Sequence, residues 1–443
     1  MVVRATRSKR KPTMTSNAPV TTAITNATIV TSDAADRVIP RGTIVLADDT
    51  IIEVLPAGVA PGSPIDTTVN ARGAILLPGL VNAHTHLAMT LFRGYADDLD
   101  LQAFLDRLIP KETEVLSEAH VRTGARLAFA ESFRSGCTTT LDMYWWPQAS
   151  LDEAKNAGFG LESGPIFIGF DGPDRTPWDV RLERARATAP HRWLFAHGTY
   201  TMEPSQLAEV GTLAAELGAR FHIHAAETAR EVDDVRSRFG RSPVELLDHH
   251  GILRPGTVLA HAVVLDEDEI SRIAESGTAV AHCPASNMKL ASGFCRVPEL
   301  HAAGAVVGIG TDGPSSSNDL DMFAAMRTAA LIHKGNRLDP LVLSATTVLR
   351  MATIDGARAL GLDDRIGSIE VGKRADLVLL DPDSPSLNPV YDPISAIVYA
   401  ASRADVTDVW ASGRKVVANR ACTTIDLERT LAEARLEAEL IGR

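Results

Sequence analysis

The run Ala74-Ile75-Leu76-Leu77-Pro78-Gly79-Leu80 feeds Val81-Asn82-Ala83-His84-Thr85-His86, an apolar strand that ends in two imidazoles one residue apart. Strand side chains alternate between faces, so positions i and i+2 point the same way and both rings can reach one cation. Two neighbouring imidazoles buried without partners are costly, which favours a metal site over two core histidines.

Eight strand-like runs follow one another along the chain: 74–86, 137–143, 159–169, 192–197, 220–225, 257–265, 278–283 and 305–311. Helical patterns such as 117–135, 205–217, 242–249, 266–276 and 320–333 lie between many of them. That alternation specifies an α/β chain and fits a (β/α)8 TIM-like barrel. An open doubly wound sheet is the rival, but no Gly-x-Gly-x-x-Gly follows the first strand.

Outside this region the texture changes. Short β-rich runs with Gly, Pro and Asp turns occupy residues 23–55 and return in 367–381 and 406–418, an antiparallel pattern. Four parts are expected: a disordered tail over 1–20, a small β-sandwich domain built from both chain ends (21–73 with 363–425), a catalytic barrel over 74–362, and a C-terminal helix over 426–443. The basic tail has no apolar core and reads as a frayed terminus rather than a targeting peptide. A net charge of −12 without a basic stripe argues against a nucleic-acid partner. No apolar stretch reaches transmembrane length, so no membrane partner is expected. Four cysteines with no Cys-x-x-Cys suggest free thiols and a cytoplasmic setting.

In such a barrel, functional residues gather where strands run out at their C-terminal ends. Those ends carry His84 and His86, then His197, His224, His261 and His282, and finally Asp312 in Gly308-Ile309-Gly310-Thr311-Asp312-Gly313. Six of thirteen histidines fall there, which scattered structural histidines would not do. Three imidazoles and a carboxylate suit a divalent ion such as zinc or iron, with a position left for water. In His222-Ile223-His224-Ala225-Ala226-Glu227, His222 faces the same side one layer deeper and reads as an interior barrel residue. Glu227 lies just past the strand end, where a carboxylate reaches water or substrate. Trp145, in Tyr144-Trp145-Trp146-Pro147, is placed to wall a planar ring.

Taken together, Pro78–His86, Leu91–Leu99, His224–Thr228, His282–Gly293, Gly310–Gly313 and Gly367–Leu377 resemble the amidohydrolase superfamily. The nearest branch looks like the 5-methylthioadenosine/S-adenosylhomocysteine deaminases and their chlorohydrolase-like relatives. The resemblance implies one divalent metal ion, zinc before iron or manganese, held by His84, His86, His224 and Asp312. It implies His261 hydrogen-bonded to the reacting water, and Glu227 as proton shuttle beside Asp312. His197 and His282, with Trp145 and Ser286, would face a small heterocyclic substrate. Binuclear members bridge their ions with a carboxylated lysine on the fourth strand, and no lysine stands between Lys155 and Lys289 here. The expected activity is hydrolytic deamination of an amino-substituted N-heterocycle such as a purine or purine nucleoside, in a possible homo-oligomer. Loss of another leaving group (halide from a triazine), amide hydrolysis and a silent metabolite-binding barrel are the alternatives. Phe104–Pro110, Glu162 and Gly198–Thr201 depart from the branch pattern in the parts that would hold a ribose and its 5′ substituent.

Overall fold

The computed structural model describes residues 19–442, so the expected tail lies almost wholly outside them. Nine strands drawn from both chain ends form one hydrogen-bonded sheet. Its seam is Ile75–Pro78, which pairs parallel with Thr28 and Ile29 on one edge and antiparallel with Leu377–Leu379 on the other. The expected sandwich is therefore a single continuous sheet in its hydrogen bonding, because Leu76 bonds to both halves. Ile24, Ile29, Leu76, Leu377 and Trp410 pack together into an apolar cluster of its own.

The same seam corrects the first strand. Residues 74–86 are not one strand but two, divided at Gly79 into Ile75–Pro78 of the large sheet and Leu80–Thr85 of a parallel set. A Cβ at Gly79 would lie 2.2 Å from Thr138 Oγ1, so the chain crosses there only as glycine.

The parallel strands fall into two groups. Leu80–Thr85 pairs with Cys137–Asp142, which pairs with Gly160–Glu162. Six further strands run in register from Ile166–Phe167 through Trp193–Gly198, Arg220–Ala225, Thr257–His261 and Ala279–His282 to Val307–Ile309. The expected third strand is thus broken between Glu162 and Ile166. There a Cβ on Gly164 would sit 2.2 Å from the Trp193 carbonyl oxygen, and Pro165 brings no N–H to a ladder. At the other end of the set, the Asp312 N–H donates to the His84 carbonyl (3.0 Å) and Asn82 Nδ2 donates to Thr311 Oγ1 (2.8 Å).

Helices between these strands start where their caps dictate. Ser242 with Glu245, and Asp266 with Glu269, form capping boxes ahead of Pro243–His249 and Glu267–Ser276. The C-terminal helix, Leu427–Ile441, is capped by Asp426 and meets Glu118–Arg134 through an ion pair of Arg126 with Glu433 and a 3.0 Å contact of His120 Nε2 with Glu437. Among the described residues no helix is long and apolar enough to cross a membrane.

Candidate active site

Strand alternation brings His84 and His86 to the same point as His224. The His224 Nε2 atom lies 3.2 Å from Nε2 of both His84 and His86. Asp312 Oδ1 stands 3.4 Å and 3.3 Å from the same two His84 and His86 atoms. Their outer nitrogens fix the tautomers. His86 Nδ1 donates to the Met143 carbonyl (2.5 Å), and His224 Nδ1 donates to the His197 carbonyl. His222 Nδ1 donates to the Val258 carbonyl (2.9 Å), which leaves its Nε2 to accept the Nδ1–H of His84 at 2.8 Å. His222 is thus more than interior filling, since it decides which nitrogen of His84 carries the proton shared with it.

Burial, followed by the charge of His84, pushes His86 down to about 4, and burial holds His222 and His224 well below the ordinary histidine value. These rings are neutral near pH 7. The Nε2 atoms of His84, His86 and His224 and a carboxylate oxygen converge here, an arrangement that a divalent cation would satisfy. The donor set fits a divalent metal ion. Asp312 is itself braced: Oδ1 accepts from the Gly313 N–H (2.7 Å) and Oδ2 from Ser316 Oγ (2.9 Å).

Glu227 is aimed at this centre by a second carboxylate. Glu231, one helical turn on, accepts from the N–H of Glu227 (2.6 Å), from the N–H of Ala226 (3.2 Å) and from Thr199 Oγ1 (2.5 Å). Ala226 sits at φ +53°, a left-handed conformation that an alanine keeps only when its surroundings impose it. Burial, then the charges of Asp312 and Glu231, raise the Glu227 carboxyl well above the usual range. His261 Nε2 is 3.6 Å from Glu227 Oε2, and Asn287 Nδ2 donates to His261 Nδ1 at 3.0 Å. With Nδ1 accepting, the His261 proton lies on Nε2 and faces Glu227.

The cavity above this centre is lined by His86, His197, His224, His261, Glu227, Asp312 and Trp145, among others. His282 and Ser286 are not on that wall. Ala281 pairs with Ala260, and Ala260 with His224, so His282 belongs to the opposite face of its strand. There its Nε2 meets His333 Nε2 at 3.2 Å, between the strand and the helix Met322–Arg337. Ser286 is fully buried in the short helix Pro284–Lys289. Their expected roles against substrate are corrected accordingly.

Glu112 is the residue that the sequence reading missed. In the helix Leu101–Val115, residues 101, 104, 105, 108, 109 and 112 share one face, and that face forms a cavity wall. Glu112 is buried on it, accepts the Tyr144 hydroxyl at 2.5 Å, and is raised by burial to about 7. The signal was the 3.6-residue spacing, which carries an apolar stripe from Leu101 past Pro110 to a carboxylate.

Residues 75–416 match the amidohydrolase family, and the chain belongs to it. A 5-methylthioadenosine/S-adenosylhomocysteine deaminase of Moorella thermoacetica is 43% identical over 408 residues, which span 89% of this chain and 94% of that one. The protein of the same name from Syntrophobacter fumaroxidans is 40% identical over 428 residues, 94% of this chain and 98% of that one. A zinc-bound adenosine deaminase from Xanthomonas campestris has a TM-score of 0.91 and 38% identity, covering 96% and 99%. An atrazine chlorohydrolase from Arthrobacter aurescens, complexed with zinc, has a TM-score of 0.86 and 25% identity, covering 94% and 100%.

Proposed function

We propose that the chain is a metal-dependent deaminase of purine nucleosides, releasing ammonia from the amino-bearing ring carbon. The observation that carries this is the convergence of His84, His86, His224 and Asp312 beside a raised Glu227, in a cavity with a further carboxylate, Glu112, on its helical wall. The same relatives support a closed (β/α)8 barrel over about 74–362, with the composite sheet domain beside it.

His84, His86, His224 and Asp312 would hold one divalent ion, zinc first. When bound, such an ion supplies a water acidic enough to attack near neutral pH. Glu227 enters protonated and gives that proton to the ring nitrogen next to the amino-bearing carbon, which makes the carbon more electrophilic. Asp312 takes the proton that the attacking water sheds. His261, with hydrogen on Nε2, donates to the oxygen that adds to the ring. The proton taken by Asp312 passes to the amino group, which leaves as ammonia while the added hydroxyl gives its remaining proton back to Glu227, so that the ring carbonyl forms and the starting protonation is restored. Glu112 has an oxygen beyond its Tyr144 contact with which to accept ribose hydroxyls, and Trp145 and His197 flank the ring.

Protein of known metal content, assayed with adenosine, 5′-methylthioadenosine, guanine and a chlorotriazine, tests the reading. Ammonia from the nucleosides is expected. Chloride from the triazine, with no ammonia from any nucleoside, would replace deamination by dehalogenation.

A further inference from the structure

We infer that the cavity selects a neutral, apolar 5′ substituent on its nucleoside and rejects a zwitterionic one. The inference rests on the nucleoside reading above and narrows it. The relatives' shared name joins two substrates, 5-methylthioadenosine and S-adenosylhomocysteine, that carry the same adenosine and differ only beyond the 5′ sulfur. One ends in a methyl group, the other in an amino acid bearing an ammonium and a carboxylate.

With the ring at the imidazole end and the ribose hydroxyls on Glu112, the substituent meets what is left of the wall. That remainder is mostly hydrocarbon, with Phe104, Leu105, Leu108 and Ile109 from the helix and Ile168 and Phe170 elsewhere on the wall, and Tyr200 and Ser316 are its uncharged polar members. The carboxyl groups on the wall are Glu112, Glu227 and Asp312, none of which can pair with a further carboxylate. One guanidinium close to the ring wall is Arg181, 5.5 Å from the Trp145 ring. It is fully committed there. Its Nη1 and Nη2 donate to the two Asp174 oxygens (3.0 and 2.7 Å) and to the carbonyls of Ile166 (3.2 Å) and Thr176 (3.1 Å). The carboxylate of an amino-acid tail would lose its water against this wall and find no Arg or Lys among the lining residues, whereas a methylthio group loses nothing.

Holoenzyme assayed with 5′-methylthioadenosine, adenosine and S-adenosylhomocysteine decides it. The expected kcat/KM for the methylthio compound exceeds that for S-adenosylhomocysteine on the order of 10²-fold or more, the scale on which unpaired polar groups are rejected. It also matches or exceeds that for adenosine, whose 5′ hydroxyl meets the same wall. Direct binding to the metal-loaded Glu227→Gln variant should give the same order of affinities, which separates recognition from chemistry. S-adenosylhomocysteine within tenfold of the methylthio compound overturns this inference and leaves the deaminase reading intact. Ammonia from none of the three overturns both.

Discussion

Glu112→Gln should make the protein more stable at pH 8 while making it a poorer enzyme. Burial lifts the Glu112 carboxyl from its ordinary 4.5 to about 7. Below the ordinary value both folded and unfolded chains hold the proton, so the residue carries no penalty. As pH rises, the unfolded chain releases its proton first, and the folded state loses stability until pH passes about 7. At ~1.36 kcal/mol per pH unit the penalty at pH 8 is about 3 kcal/mol. Glutamine does not titrate, keeps an oxygen for the Tyr144 hydroxyl, and gives back about 1 kcal/mol because that bond is no longer charge-assisted. The net expectation is about 2 kcal/mol of stabilisation at pH 8, with little difference from the parent at pH 5. Losing charged hydrogen bonds to the ribose should lower kcat/KM by roughly 10- to 100-fold. Urea midpoints of both proteins at the two pH values, beside nucleoside kinetics, test the reasoning. A variant no more stable than the parent at pH 8 would refute the claim that this carboxylate is held against its solvation for function.

Three other outcomes follow from the same geometry. Glu227→Gln should lose at least ~10² in kcat while metal analysis shows the ion retained, because the residue moves protons and is not among the converging ligand atoms. Glu231→Leu strands the donors of Ala226, Glu227 and Thr199, so it should cost on the order of 3 kcal/mol in stability and lower kcat with metal content unchanged; full stability and full kcat would sink the positioning role. His222→Ala leaves His84 free to choose its tautomer, and metal competition assays should show affinity lower by roughly 10- to 100-fold.

Much of the centre was legible because strand periodicity is simple. His84 with His86, and His222 with His224, share a face by being two residues apart, and the structure brings them to one cluster. Parity was also where the reading slipped. The register pairs His261 with Ala225, and so gives it the face opposite His224; it reaches the cavity because its φ of +74° ends the strand and turns the ring inward. His282 lacks such a turn and stays on the outer face against His333. Backbone kinks of this kind leave little mark on a sequence, since His261 is not a glycine. The break at Gly79 was hidden for another reason: the apolar run from Ile75 to Val81 passes through it without interruption, and contact with Thr138 requires the glycine. Glu112 was within reach, two residues past Pro110, had the helical stripe been followed through the proline.

The measurement closest to the centre of this account is metal content and ammonia release on one preparation, before and after chelation. About one divalent ion per chain is expected, with ammonia from a purine nucleoside lost on chelation and restored by zinc. Full ammonia release from protein stripped of metal would contradict it, because the converging lone pairs of His84, His86 and His224 would then have no part in the reaction.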